Sequence, residues 1–334
     1  MKNENPINKS IDVIGMGNAI VDVLVQVDNT FLTENGLSKG GMSLIDEAEA
    51  EQLYSQIKEG LQTSGGSAAN TITGISQLGG RAGFIGRVKD DYLGQIFRND
   101  MYKIGAIFNT PAFKKGPSTA RCIIFVTPDA ERTMCTYLGA SIFLEPNNID
   151  IDLIEKTKVL YLEGYLWDDN LAKKAFLNAA EISKKNQGEV SLSLSDSFCV
   201  ERHRESFKEL IEDHIDILFA NEQEILSLYK TNDLDNALNQ IKGKCKIAAI
   251  TLGQRGSIIL EENNRIEIEP YKLGVTVDTT GAGDLYAGGF LYGYTKGKSA
   301  KESGKIASLC AAHVVTHLGA RAKISLEELI KIII

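Results

Sequence analysis

The chain has 334 residues, of which 43% are apolar and 24% charged, a balance typical of globular rather than disordered proteins. Its 36 basic and 44 acidic side chains give a net charge of −8, which argues against a general nucleic-acid-binding protein, since phosphate backbones attract clustered Lys and Arg. No apolar run approaches the roughly 20 residues of a membrane-spanning helix, and five scattered cysteines without a Cys-x-x-Cys pair argue against disulfides or zinc and favour a cytoplasmic location.

The first third of the chain predicts short strands and helices in alternation. Residues 1–10 are polar, lack the apolar stretch of a signal peptide and predict a short disordered tail. Asp46 is predicted to cap a helix that runs to about Lys58. Apolar periodicity and glycine positions predict the remaining elements, which are a strand at 11–15, a helix at 67–78, a strand at 81–88 and a helix at 93–104.

The rest of the chain follows the same rhythm with two interruptions. Short apolar runs predict four strands, and all but the last precede a helical segment: 159–162, 190–194, 215–220 and 247–252. Such alternation predicts an α/β fold with a doubly wound, mostly parallel sheet flanked by helices. Residues 20–27 and 120–138 lack intervening helices and predict an antiparallel flap on this body. The C-terminal third is predicted to be mostly helical, over 281–297, 300–317 and 326–333.

The most informative segment is residues 278–284, Asp-Thr-Thr-Gly-Ala-Gly-Asp, which follows a β-type stretch and precedes a helix. A glycine turn that opens a helix leaves backbone N–H groups unpaired at the positive end of the helix dipole, so it predicts an anion site. Asp284 is open to two interpretations. It caps the helix, or it faces a substrate hydroxyl beside a phosphate in transfer, where a weak base suffices.

Two motif look-alikes fail their structural context. Gly15-Met16-Gly17 begins like a dinucleotide fingerprint, but the third glycine is replaced by Ile20 and a β-rich run follows instead of a helix. The segment 293–299 resembles a P-loop but is one residue short and lies at the end of a helix. It is better explained as a helix C-cap, whose lysines lie near the negative end of the helix dipole. A dehydrogenase is therefore disfavoured.

Three further clusters have both a ligand-binding and a purely structural interpretation. Asn18 and Asp22 follow the first strand, and Asp22 accepts two vicinal hydroxyls or simply faces outward. The segment Gly65-Gly66-Ser67 with Asn70 lets a ligand approach the backbone, or only forms a tight turn. Asn221 and Glu224 lie at a strand end where ligands bind in such sheets, and they also match a helix capping box.

The order of these motifs resembles that of the PfkB (ribokinase-like) carbohydrate kinase family. The resemblance covers residues 11–330 and rests on GGSAAN at 65, NEQE at 221, TLGQRGS at 251 and DTTGAGD at 278. Within the family, GNAIVD at 17, the NEQE form and PDAERTMCTYLGAS at 128 are most similar to the adenosine-kinase-like branch, which includes bacterial nucleoside kinases.

The resemblance implies one kinase domain over residues 11–334, with a small β-lid built from about 16–45 and 110–140. It implies that Asp284 is the base on the acceptor hydroxyl, that amides of Gly281, Ala282 and Gly283 form the anion hole, and that Arg132 reaches the phosphates from the lid. The residues implied to hold the acceptor are Asn18, Asp22, Gly65, Gly66, Asn70 and Leu138.

The resemblance also implies an ATP site and a magnesium ion. Asn221 and Glu224 would organise Mg²⁺ and phosphate through water, and a monovalent cation such as K⁺ is expected near the anion hole. The residues implied to line the ATP side are Thr251, Gly253 and Gly256, with Ala312, His317 and Gly319 bordering the adenine.

These expectations combine into an ATP- and Mg²⁺-dependent kinase that phosphorylates the 5′-hydroxyl of a purine nucleoside, foremost adenosine. Candidates for the base pocket are Met42, Cys122, Leu138 and Phe198, whose alternative is simply core packing. A free sugar such as ribose or fructose is the alternative acceptor, and a catalytically silent binding protein on this scaffold is the third possibility. Neither a nucleic-acid nor a membrane partner is expected, and both monomer and homodimer remain open.

Overall fold

The computed structural model describes residues 9–57, 59–129 and 131–332, so the predicted tail at 1–10 lies outside the described residues except for Lys9 and Ser10. The strands are β1 Ile11–Met16, β2 Ile20–Gln26, β3 Met42–Leu44, β4 Leu61–Gly65, β5 Ala82–Ile85, β6 Ala120–Val126, β7 Arg132–Tyr137, β8 Thr157–Glu163, β9 Glu189–Ser193, β10 Ile217–Asn221, β11 Ile247–Thr251, β12 Ser257–Glu261 and β13 Asn264–Ile268. The helices are α1 Asn29–Glu34, α2 Glu47–Ser55, α3 Ser67–Gln77, α4 Tyr92–Lys103, α5 Ile151–Glu155, α6 Asn170–Lys185, α7 Ser197–His214, α8 Glu222–Tyr229, α9 Leu234–Ile241, α10 Ala282–Thr295, α11 Ala300–Val314 and α12 Leu326–Ile330.

Eight strands form the main sheet in the order β13-β12-β11-β10-β9-β8-β1-β5. The pairs from β11 through β5 are parallel, and only β12 and β13 add an antiparallel edge. The predicted mostly parallel, doubly wound sheet is confirmed. Its strands are nearly all buried, because helices cover both faces of a parallel sheet.

Alternating side chains of the main sheet enter two separate apolar cores. On one face, Leu160 and Leu218 pack with Phe176 and Phe207 of helices α6 and α7. On the other face, Val159 and Ile217 lie in the cluster of α3, α4, α10 and α11. This arrangement brings the N-termini of α3 and α10 to the carboxyl edge of the sheet, where ligands bind in open α/β folds.

A second sheet of five strands, in the order β3-β7-β6-β2-β4, forms what we call the lid sheet. The expectation of an antiparallel flap is only partly correct. Strands β6 and β7 form an antiparallel hairpin, but β2 pairs parallel with β6. Between β2 and β6 the chain forms other elements, including strand β5 of the main sheet. A connection of this length permits parallel pairing. Strand β4, Leu61–Gly65, also belongs to this sheet although it lies outside 16–45 and 110–140.

Helix bounds differ from the predictions mainly at their C-terminal ends. Asp46 does cap α2 through a capping box with Glu49, but the helix ends at Ser55, and Lys58 lies outside the described residues. The two helices predicted at 67–78 and 93–104 are observed within one residue at each end. Among the helices of the described ranges, we find none that combines the length and apolarity needed to cross a membrane.

Candidate active site

The glycine turn before α10 forms an open helix N-terminus. Gly281 has φ +78°, and a Cβ there would lie 2.6 Å from the Cβ of Ala320, so this position needs glycine. Within the described part of the chain, the amides of Gly281 and Gly283 donate no hydrogen bond. The amide of Ala282, the third amide expected in the anion hole, already donates to the Thr279 carbonyl at 3.2 Å within the turn. Two amides and the helix dipole remain for an anion.

Asp284 points away from its own helix terminus. Its Oδ1 accepts from Ser67 Oγ at 2.7 Å and its Oδ2 from Asn70 Nδ2 at 3.0 Å, both on α3. The N-cap of α10 is Gly281, without a side-chain cap, so the capping interpretation of Asp284 is wrong. Burial raises the pKa of Asp284, whereas its hydrogen bonds to Ser67 and Asn70 and the charge of Arg321 lower it. The result is a fixed carboxylate with enhanced basicity.

Asp22 lies on the lid sheet beside the start of α3. It is paired in register with Thr63 of β4 and Cys122 of β6. Its carboxylate lies so close to Gly65 that a Cβ on residue 65 would collide with the carboxylate. Burial raises the pKa of Asp22 to about 6, opposed by the charges of Arg321 and Arg132. A carboxylate in this position can accept two hydroxyl hydrogens from one ligand.

Asn18 is held by a residue that the sequence reasoning missed, Glu163 at the end of β8. Glu163 Oε1 accepts from the Asn18 backbone at 3.3 Å and from its Nδ2 at 3.1 Å, and Oε2 accepts from the Ala68 amide at 2.7 Å. Burial raises the pKa of Glu163 to about 7. The Oδ1 of Asn18 is buried without a partner, which marks a position for a ligand hydroxyl, and Gly66 lies against the Asn18 carbonyl.

Arg132 on β7 joins the lid sheet to the glycine turn. It pairs with the Asp278 carboxylate and donates to Thr280 Oγ1 at 2.8 Å. Asp278 also accepts from the Gly319 amide at 2.8 Å. Burial opposes ionisation of Asp278, but these hydrogen bonds and the Arg132 charge leave its pKa lowered. A monovalent cation beside this turn stays a prediction, and Arg132 is the positive charge that the chain itself places there.

A cleft of about 490 Å³ opens on the other side of the glycine turn. Its wall combines residues of the three segments 251–256, 270–276 and 279–286 with residues of α11, and it includes the predicted Thr251, Gly253, Gly256, Ala282, Gly283 and Ala312. The structure places His317 and Gly319 elsewhere. His317 Nε2 donates to the Arg321 carbonyl at 2.8 Å and the Gly319 amide donates to Asp278, and neither residue is among those that line the cleft.

Asn221 and Glu224 lie at the carboxyl edge next to this cleft, because Asn221 pairs in register with Thr251. They form the capping box of α8, with Glu224 Oε2 accepting from the Asn221 amide at 2.9 Å. Burial raises the pKa of Glu224 to about 7, against the hydrogen bond from Asn221. The structural interpretation of this motif is thus correct, and it leaves a buried acid beside the nucleotide cleft.

The candidates for a base pocket are scattered. Leu138 is half-buried just past the end of β7, at the start of the turn Gly139–Ile142. Met42 and Phe198 are 56% and 71% exposed, so the alternative that they are core residues is wrong for both. Cys122 is buried on the lid sheet directly beside Asp22.

The fold and the site together define a small-molecule kinase, with a basic carboxylate beside an anion-binding turn. The model of the pfkB family of carbohydrate kinases matches residues 42–327, so this chain belongs to that family. Kinases of this family transfer a phosphoryl group from ATP to a sugar or a nucleoside.

Known relatives are named for both acceptor classes. A probable sugar kinase from Rhizobium etli CFN 42 is 46% identical, with a TM-score of 0.89 over 96% of this chain and 98% of that chain. An adenosine kinase from Sinorhizobium meliloti is also 46% identical, with a TM-score of 0.88 and the same coverage. A probable fructokinase-4 from Arabidopsis thaliana is 26% identical over 78% of this chain and 84% of its own length.

Proposed function

We propose that this kinase transfers the γ-phosphoryl group of ATP to the 5′-hydroxyl of a purine nucleoside, with adenosine as the acceptor. The observation that carries the proposal is the face of the lid sheet that bears Asp22 and Arg132. Strand register puts the apolar side chains of Cys122, Ile124 and Met134 on this same face, between the two charged residues. A free sugar needs polar partners, whereas a purine gains from an apolar surface.

Two aromatic side chains at the facing edge of the main sheet add support. Tyr165 follows the end of β8 and is 36% exposed, and Phe198 follows β9 at the start of α7. Exposed aromatic rings near a polar site offer stacking surfaces for a nucleobase. The S. meliloti relative named adenosine kinase points to the same acceptor.

In the proposed reaction the acceptor oxygen attacks the γ-phosphorus. A new O–P bond forms, the bond to the bridging oxygen of ADP breaks, and the hydroxyl proton passes to Asp284. Ser67 and Asn70 hold that carboxylate in place. The free amides of Gly281 and Gly283 would stabilise charge on the transferred group, because such transfer depends on positioning and electrostatics.

The residues present fit a hydrated Mg²⁺ on the nucleotide. Glu224 is buried, and within the described residues each of its carboxylate oxygens accepts a hydrogen bond only from Asn221. A hydrated cation would relieve this buried charge. Over 9–57, 59–129 and 131–332, no cluster of three His, Cys, Asp or Glu could bind a metal directly, so water-mediated contact is proposed. When bound, Mg²⁺ neutralises phosphate charge.

A free sugar is the second candidate acceptor. The R. etli relative named as a probable sugar kinase and the plant fructokinase favour it. The buried Oδ1 of Asn18 and the carboxylate of Asp22 could bind sugar hydroxyls as well as those of a ribose. A catalytically silent binding protein is disfavoured, because Asp284 and the open glycine turn are both present.

An acceptor panel in a coupled ADP-release assay tests the proposal. We expect turnover with adenosine at lower KM than with inosine, guanosine, ribose or fructose, and activity confined to free sugars would overturn the choice. The variant I124T should raise the KM for adenosine but not for ribose. The neighbouring I123T is the matched control, since Ile123 packs on the opposite face of the lid sheet.

A further inference from the structure

Arg321 is a half-buried cation that no motif singled out. It lies in the segment 315–325 between α11 and α12. Its Nε donates to Asn70 Oδ1 at 3.4 Å, and its carbonyl accepts from His317 at 2.8 Å. Its Nη2 is buried and has no hydrogen-bond partner within the described residues. A guanidinium has only donors and stays charged, so an enclosed unpaired N–H leaves part of its binding capacity unused.

The contacts of Arg321 determine how Asn70 is oriented. A guanidinium can only donate and an ionised carboxylate can only accept, so Asn70 must present its Oδ1 to Arg321 and its Nδ2 to Asp284. This is the observed arrangement, with Asn70 Nδ2 at 3.0 Å from Asp284 Oδ2. Without Arg321, only the Asp284 carboxylate would hold the amide in this orientation. Arg321 thus acts on Asp284 through Asn70.

Arg321 also provides positive charge in an acidic site. Its charge opposes the burial that raises the pKa of Asp22 and Asp284, and it is itself attracted to Asp22, Asp100 and Asp284. The titratable and charged groups that act on Asp284 are Asp22 on β2, Tyr161 and Glu163 on β8, Tyr165 just after β8, and Arg321, while Asp100 on α4 acts on Arg321 and Arg132 on β7 acts on Asp22. Arg321 and Arg132 are the cations in this set.

We propose that Arg321 is an acceptor-binding residue of the kinase, whose free Nη2 donates to an oxygen of the acceptor while its Nε holds Asn70 against Asp284. Asn70, which its side chain contacts, and Asp22 and Asp284, which attract it, belong to the acceptor side, so an acceptor oxygen is the partner that completes its hydrogen bonds. The inference rests on the proposed acceptor site, whether the acceptor is a nucleoside or a sugar.

The test compares R321M, which loses charge and donors, with R321K, which keeps the charge but loses the planar fork. Using the best acceptor from the panel, we expect R321M to raise the acceptor KM at least about 10-fold, the size of a lost charged hydrogen bond. The acid limb of its kcat/KM profile should move to higher pH. R321K should restore the acid limb but not the KM. Calorimetry with acceptor alone gives the same comparison without turnover.

The control is R98M, because Arg98 is another partly buried arginine. Its guanidinium lies over the ring of Phe108 and donates to the Thr110 carbonyl at 2.6 Å, and neither residue belongs to the proposed site. R98M should lower the unfolding temperature without moving the acceptor KM or the pH profile. Wild-type KM and pH profile in R321M overturn the proposal, as does a change confined to the KM for ATP. If R321M does not fold, wild-type acceptor affinity in R321K overturns it. A wrong assignment of Asp284 can be told apart from a wrong assignment of Arg321. In the first case D284N would retain turnover while R321M still binds the acceptor weakly.

Discussion

In the proposed site, the two sides of the glycine turn use different parts of the chain to bind their ligands. On the acceptor side, buried or half-buried charged side chains from distant segments converge, namely Asp22, Glu163, Asp284 and Arg321. On the nucleotide side, the cleft is lined mainly by backbone, glycines and apolar side chains such as Gly253, Gly256, Gly283 and Ala312. An acidic protein can therefore bind a polyanionic nucleotide, because amides and a helix N-terminus supply local positive potential.

This contrast predicts two kinds of sensitivity. Buried charges interact strongly in a low-dielectric site, so the acceptor side should respond to charge-neutralising substitutions and to pH. The anion site of the glycine turn consists of backbone amides, which do not titrate, so it should respond to steric changes that shift the turn. The substitutions below examine each side in turn, beginning with the group that serves both.

The largest effect is expected from D284N, which preserves shape but removes the base at the boundary of the two sides. We expect kcat to fall by about 10² to 10⁴-fold, the usual contribution of a general base, with little change in either KM. Steady-state kinetics with a folding check measures this. The control is E302Q, because Glu302 occupies the same third position of α11 on the surface. Near-normal turnover in folded D284N would contradict the role.

Sequence patterns were sufficient for the parallel strands of the main sheet and for several residues that line the cleft, but not for the antiparallel edge or for the positions of His317 and Gly319. Periodic apolar runs separated by glycine define strands and helices locally, and a glycine turn before a helix carries its anion site within one short segment. The segment from Asp278 to Asp284 is such a case. By contrast, the engagement of the Ala282 amide by Thr279 depends on the exact turn, which residue types alone do not specify.

The acceptor side could be predicted only in part. Glu163 is a single acid at the end of an apolar strand, and Arg321 lies in an irregular segment, so neither forms a local pattern. They become functional candidates because the fold brings both of them against α3, where Glu163 contacts Ala68 and Arg321 contacts Asn70. The parallel pairing of β2 with β6 was missed for the same reason, since about a hundred residues separate the two strands. An isolated acid ending a buried strand was the available signal.

The next largest effect is expected on the nucleotide side, from G281A. A Cβ at Gly281 meets Ala320 and strains a backbone with φ +78°, so the two free amides should shift. Loss of one such donor lowers kcat by about 10²-fold in related chemistry. G297A is the matched control, because Gly297 has φ +76° and open space around it. Equal kcat in both variants would show that the turn does not bind the transferred phosphate.

On the acceptor side, D22N should mainly weaken acceptor binding. Loss of hydrogen bonds to a charged group predicts a roughly 10- to 100-fold higher acceptor KM, with the KM for ATP unchanged as the internal control. The pKa of Asp22 is about 6, so its charge is lost as pH falls below 6. The wild-type acceptor KM should therefore rise below pH 6, whereas that of D22N should not. A parallel rise in D22N would assign the pH dependence to another group.

The smallest effect on catalysis is expected from E163Q, whose consequence should instead appear in stability. The pKa of Glu163 is raised from 4.5 to about 7, so between these values the folded state binds more protons than the unfolded state. The free energy of unfolding should then decrease as pH rises through this window, by up to about 3 kcal/mol for a shift of this size. Urea denaturation at pH 5 and pH 8 measures the difference, which should be smaller in E163Q than in the wild type. E302Q should keep the wild-type difference, because Ser299 lowers the pKa of that exposed acid. If the difference between the two pH values were the same in E163Q as in the wild type, Glu163 would already be ionised at pH 5. The acceptor side would then carry this negative charge at a lower energetic cost than the burial of Glu163 implies.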